Sequence, residues 1–187
     1  GSGSVTITPT AAPVVDTCIH TDGNLVVNGC FESNVVTHGW DVYKTGTLVG
    51  WTVQWLGGNP CLPTEPGFTG AQLELQRGIL GPEYEGQQHA ELDADCNTST
   101  NDTRSGEAGS VKIWQDIPTV VGNWYKIRYT YKSRPDTSSS TNGIKAYWGA
   151  TNVATTGHAS SWTVKEVVVQ ATGTTTRVMF ADNGTPD

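Results

Sequence analysis

The sequence predicts an all-β fold, a sandwich or barrel of short antiparallel strands, and three observations carry that prediction. From Gly23 onward, short runs rich in Val, Thr and aromatic residues recur at near-regular spacing, bounded by Gly, Asn, Pro and Ser. No segment shows the 3.6-residue apolar period of an amphipathic helix. Charged residues make up only 16% of the 187, too few to supply long charged helices.

The runs place strands near 24–27, 48–56, 71–76, 87–95, 109–117, 123–134, 143–149, 161–171 and 174–182. Two are clear. Over 124–134 one face carries Tyr125, Ile127, Tyr129 and Tyr131 and the other Lys126, Arg128, Lys132 and Arg134, the alternation of a half-buried strand. Over 87–95, Ala90, Leu92 and Ala94 point one way and His89, Glu91, Asp93 and Asp95 the other, which gathers acids on one face. Ahead of the strands, residues 1–22 read as an N-terminal arm. Val5 and Ile7 alternate with Thr6 and Thr8, while Pro9 and Pro13 confine that stretch to a sheet edge. The length favours one further domain, residues 23–187.

A net charge of −7 without a basic tract argues against nucleic acid as a partner, because phosphate neutralisation drives most such binding. No apolar run reaches the ~18 residues of a membrane-spanning helix. The whole charge falls between Cys61 and Ser110, where nine acids face Arg77 and Arg104. A solvated acidic face is the plain reading of that zone. Glu91 and Asp93 also offer paired carboxylates, but two acids on one strand do not flank a substrate from opposite sides. No Gly-x-Ser-x-Gly elbow accompanies the histidines, so no enzyme is expected.

Cys18, Cys30, Cys61 and Cys96 form an even set without metal-site spacing, which predicts two disulfides. Cys61 lies in a Gly/Pro loop and Cys96 just after a strand, so those two suit a staple, leaving Cys18 for Cys30. Three connectivities remain open. Disulfides imply a secreted or cell-surface setting.

The run Asn24-Leu25-Val26-Val27-Asn28-Gly29-Cys30-Phe31-Glu32 is followed by Gly39-Trp40, Gly50-Trp51, Tyr84 to Asp93, Trp114-Gln115-Asp116, Gly122 to Tyr125 and Arg134-Pro135. In this order they resemble the galactose-binding-like jelly-roll superfamily, which holds many non-catalytic carbohydrate-binding modules and bacterial or plant cell-surface domains. The resemblance spans about 160 residues. It implies a jelly-roll β-sandwich of about eight to nine antiparallel strands with the arm extended. Such modules finish with a further acidic strand, whereas this sequence stops at Asp187, so the domain is expected to lack its last strand.

The resemblance also implies a structural calcium ion near the Asn-Gly-x-Phe-Glu turn, with Glu32 as ligand and Asp182 as a second. For a polysaccharide or glycan, Trp55, Tyr84, Trp148 and Trp162 are the candidate stacking platform, and His89, Glu91, Asp93 and Arg134 the candidate partners of sugar hydroxyls. The expected function is a secreted or surface carbohydrate-binding or adhesion module. The alternative is a subunit of an extracellular fibre or surface layer, in which the Val5 to Val15 strand of one copy fills a neighbour's groove.

Overall fold

The computed structural model describes residues 23–37, 39–58, 70–94 and 109–183, and these hold eleven strands and no α-helix. The arm of residues 1–22 lies outside the described residues, as do Cys61 and Cys96. The strands are β1 (Trp40–Lys44), β2 (Thr52–Trp55), β3 (Gln72–Gln76), β4 (His89–Glu91), β5 (Asp93–Ala94) and β6 (Gly109–Pro118). Then follow β7 (Trp124–Tyr131), β8 (Ile144–Trp148), β9 (Thr151–Thr156), β10 (Thr163–Gln170) and β11 (Thr175–Asp182).

All pairings between these strands are antiparallel, and they form two layers. One layer is a sheet in the order β2-β6-β11-β8-β9, with β5 added beside the start of β6. The other consists of two smaller sheets, β1-β3-β4 and β10-β7. Aromatic side chains bind the layers together: Tyr129 of β7 meets Phe180 of β11 edge-on at 5.1 Å, and Tyr125 meets Trp148 of β8 at 5.4 Å. The result is an all-β sandwich, in which each sheet buries its apolar face against the other layer.

Alternation explains the long strands. Along β6, Val111, Ile113, Gln115 and Ile117 are buried, while Lys112, Trp114, Asp116 and Pro118 are not. On β7 Tyr125, Ile127 and Tyr129 are all at 3% exposure or less, which bears out the expected core face. Strand β3 departs from the pattern. Leu73 and Leu75 face the core, yet Gln72, Glu74 and Gln76 on its other face are buried too, and Gln76 donates to the Glu74 carboxylate.

The expected strand over 87–95 is broken. His89–Glu91 pairs with β3, a bend falls at Leu92, and Asp93–Ala94 pairs with β6 in the other layer. Strands β1 and β9 were not anticipated. All five β1 residues are half-buried, so it shows no clean inside and outside. The Thr-rich β9 follows β8 through a tight turn at Gly149 (φ +60°); most of its residues are β-branched, and only Val153 and Ala154 are apolar and pack on the core.

The largest correction concerns 24–27, which is not a strand. Residues 23–37 run mostly as turns and irregular backbone, several of whose backbone groups are satisfied by side chains. The Gln115 amide brackets Val27, accepting from its N–H at 3.0 Å and donating to its carbonyl at 2.5 Å. The Gln88 amide accepts from Val36 N and donates to the Phe31 and Asn34 carbonyls. Trp51 Nε1 donates to the Asn28 carbonyl at 3.0 Å. Buried backbone groups without such partners each carry a desolvation cost, so these amides set the path of the segment.

Gly50 and Gly86 combine a left-handed φ with close approach. At Gly50 (φ +80°) a Cβ would stand 2.9 Å from the Val27 carbonyl oxygen, and at Gly86 (φ +69°) 2.2 Å from Glu32 Oε1.

Leu75 is fully buried, so Leu75→Ala is expected to lower stability by about 2–5 kcal/mol, read from urea unfolding. A loss below about 1 kcal/mol would mean that β3 is not a core strand. Gly86→Ala forces a left-handed residue against the Glu32 carboxylate and is expected to cost at least about 1–2 kcal/mol. Unchanged unfolding would contradict the contact.

Candidate functional site

Strands β4 and β7 border the two small sheets, and among the described residues no backbone ladder joins them. A cleft of about 140 Å³ opens at this seam. One wall is residues 89–93, the other residues 129–135. The floor is apolar and comes from both the large sheet and the turn segment: Phe31, Trp51, Ile113 and Phe180. Phe31 has φ +64°, a left-handed conformation rare for a bulky residue, and stacks on Trp51 at 5.6 Å. The amide bonds of Asn28 and Gln88 hold that turn in place.

Around this floor the polar groups converge. Glu91 of β4 is opposite Glu74 in register; its Oε2 accepts from Gln76 Nε2 at 2.8 Å and its Oε1 from Arg134 Nη1 at 2.6 Å. The Glu91 side chain is 11% exposed and that of Arg134 45%, so the pair leads from solvent into the buried face of β3. Asn142 Oδ1 accepts from the Arg134 backbone N–H at 3.0 Å and so fixes where the guanidinium begins. Asp182 at the end of β11 is buried and accepts from Ser110 Oγ at 2.7 Å. Lys132 Nζ donates to the Leu80 carbonyl at 3.1 Å.

Tyr129 is the group that sequence reasoning missed. Its ring is core, as alternation predicts, and the residue lines the cleft, but its hydroxyl is buried and has no hydrogen-bond partner among the described residues. Burial, with Tyr131 nearby, pushes the phenol up to about 12, so the group is a neutral O–H donor throughout the physiological range. Nothing in the sequence separates it from Tyr125, whose hydroxyl accepts from Val120 N.

His89 and Trp162 close one end. His89 Nδ1 contacts the Glu83 carboxylate, and the His89 ring meets Trp162 edge-on at 5.5 Å. Burial alone would raise the Glu83 carboxyl. The hydrogen bonds from His89 and the Gly78 N–H, with the charge on His89, outweigh it and hold the group below its ordinary value. Trp162 Nε1 donates to the Pro82 carbonyl at 2.9 Å, which fixes the indole plane.

The structure therefore brings His89, Glu91, Asp93 and Arg134 together in one cleft, with Asp182. Tyr84 stands outside it, on the far side of Trp162. Trp55 and Trp148 are corrections. Each is 8% exposed; Trp55 alternates inward with Val53 on β2, and Trp148 packs on Tyr125 while its Nε1 donates to the Gln170 carbonyl. Neither ring is a surface platform.

The acidic zone is corrected as well, since its described glutamates are not a solvated face. Glu74 is buried and bonded by Gln76, Glu83 by His89, and Glu91 by Arg134, while Glu85 lies 3.9 Å from Arg128.

The Glu32 carboxylate, the candidate calcium ligand, takes part in the fold: its Oε1 accepts from the Gln87 and Gln88 backbone N–H groups at 2.6 and 3.1 Å. Among the described residues no group of three acids, histidines or cysteines is arranged to hold a metal. Cys30 is buried and is not a free cysteine, but its three candidate partners lie outside the described residues.

Compared with known proteins, the sequence matches no family model and no curated protein.

Proposed function

We propose that the chain is a non-catalytic carbohydrate-binding or adhesion module of a secreted or cell-surface protein, with the seam cleft as its sugar site. The observation that carries this reading is the Tyr129 hydroxyl, a buried donor of a residue that lines the cleft, without a hydrogen-bond partner among the described residues. Sugar hydroxyls both donate and accept. The cleft offers donors in Tyr129 and Arg134 and acceptors in Glu91 and Asp182, and the half-buried Trp162 ring at its end suits the apolar face of a pyranose. Carboxylates and cations are mixed there, which favours a neutral sugar over a strongly charged one. Disulfides among Cys18, Cys30, Cys61 and Cys96 belong to the same proposal, as the oxidised state of an extracellular protein.

A second reading rests on the seam itself. The groove lies between the outer edges of β4 and β7, so an extended segment could pair there as an added strand. Donation of Val5 to Val15 by a neighbouring copy is the form this takes in a fibre. That segment lies outside the described residues. Deleting residues 1–15 is expected to dissolve assemblies on this reading, and unchanged sedimentation and stability would remove it.

The sugar reading is tested by calorimetric titration with glucose, galactose, mannose and xylose and their linear tetramers. Binding by at least one is expected. Tyr129→Phe is expected to weaken it roughly fivefold, the worth of one hydrogen bond. The same change leaves unfolding stability equal or higher, because the free protein makes no use of that hydroxyl. Binding of none of these sugars, or full affinity in Tyr129→Phe, overturns the assignment.

A further inference from the structure

We infer that the outer face of the large sheet is a separate binding surface for a linear acidic polysaccharide, one whose sugars carry carboxylates. It does not depend on the cleft, which is floored by the opposite face of that sheet through Ile113 and Phe180. Strand register sets two rows of outward side chains next to each other. Trp114 of β6 is opposite Met179 of β11, and Met179 is opposite Tyr147 of β8. Two residues along, Lys112 is opposite Ala181 and Ala181 is opposite Lys145. Adjacent strands stand about 5 Å apart and alternate residues of one strand about 7 Å, so the lysine backbones are roughly 10 Å apart and one row from the rings.

Charge points to an anion. Lys112 and Lys145 are half-buried and make no hydrogen bond or ion pair among the described residues. Elsewhere Lys126 is matched by Glu166, Arg134 by Glu91 and Arg177 by Asp116. The outward residues of the β2-β6-β11-β8-β9 sheet include the cations Lys112, Lys145 and Arg177 against the single acid Asp116, so this face is positive on a chain whose net charge is −7. The bonded glutamates Glu74, Glu83 and Glu91 belong to β3, β4 and the loop between them, in the other layer. A negative partner is what such a face complements. The ring row narrows the class. The Arg177 guanidinium stands 4.9 Å from the centre of the Trp114 ring and closes that end, which leaves the half-buried Tyr147 ring, on the same strand face as Lys145, for the apolar side of a pyranose. A uronate sugar carries both parts, an apolar ring face and a carboxylate at its edge, and its polymer repeats them in parallel lines. An acidic peptide lacks the first part and a neutral polysaccharide the second.

The experiment titrates the full chain with galacturonate and mannuronate oligomers at low ionic strength, beside polyglutamate and the neutral galactose and mannose oligomers. At least one uronate oligomer is expected to bind, at least roughly tenfold tighter than polyglutamate. Its affinity is expected to fall at least tenfold in about 1 M salt, where screening shortens to roughly 3 Å. Replacing both lysines, Lys112→Gln with Lys145→Gln, is expected to weaken uronate binding at least roughly tenfold, while Lys112→Arg with Lys145→Arg keeps it. Tyr147→Ala is expected to weaken it as well, and matching melting curves show that the variants are folded. Any neutral oligomer held by the cleft keeps its affinity in the glutamine variant, and uronate binding persists in Tyr129→Phe, so the two sites fail separately. No uronate binding, polyglutamate binding as tightly, or uronate affinity unchanged in the glutamine variant overturns the outer-face site and leaves the cleft reading where it stood.

Discussion

The structure depends on how one buried, irregular segment satisfies its backbone. Residues 23–37 hold no strand and only a single bridge residue, Asn24, yet Val26, Asn28, Phe31 and Val36 are buried. A few of their N–H and C=O groups are partnered within the segment, as Phe31 N–H is by the Asn28 carbonyl, and others draw partners from elsewhere. Gln115 on β6 and Gln88 just before β4 do this with side-chain amides, each able to donate and accept at once, and Trp51 adds an indole N–H, while the segment's own Glu32 carboxylate accepts in return from the Gln87 and Gln88 backbone N–H groups. These contacts tie together pieces of chain up to 88 residues apart. They also place Phe31 on the cleft floor and hold the Gly86-Gln87-Gln88 turn from which His89 and Glu91 leave.

That dependence explains what was legible in the sequence. Strands β6, β7, β10 and β11 lie where period-2 alternation places them, because one face of each meets the opposite layer and the other meets solvent or edge. The run Asn24 to Glu32 looks like a strand for the same reason, since Leu25, Val26 and Val27 are apolar. What decides against it is the side-chain capping by Gln88 and Gln115, and local apolar pattern carries no information on partners so far away in the chain. The break at Leu92 is similar. Nothing in alternation shows that one half of a strand will pair with β3 and the other half with β6.

The site was legible in part for a related reason. Acidic and cationic residues on alternating strands, Glu91 and Arg134 among them, announce polar groups that need partners, and the fold supplies each to the other at 2.6 Å. Aromatic residues are harder to place. Trp55, Trp148 and Trp162 look alike in sequence. Two of them are core, and the third is oriented by a single hydrogen bond to Pro82 from 80 residues away. Tyr129 is the extreme case, because its ring obeys the core pattern while its hydroxyl is a buried donor without a partner among the described residues.

The seam between β4 and β7 links the fold to the site. A continuous second layer would have run a ladder from β4 to β7 and closed over Phe31, Trp51 and Phe180 as ordinary core. With the layer divided into two sheets, the same aromatic residues become the floor of a cleft, and strand edges become its walls. The acidic composition of 61–110 then gains a structural meaning. Glu83 orients His89, Glu91 draws Arg134 across the opening, and Glu74 answers Gln76 behind them. An acid set spent on mutual positioning differs from one that repels anions at long range. Recognition at such a site falls to geometry, short hydrogen bonds and ring contacts rather than to net charge.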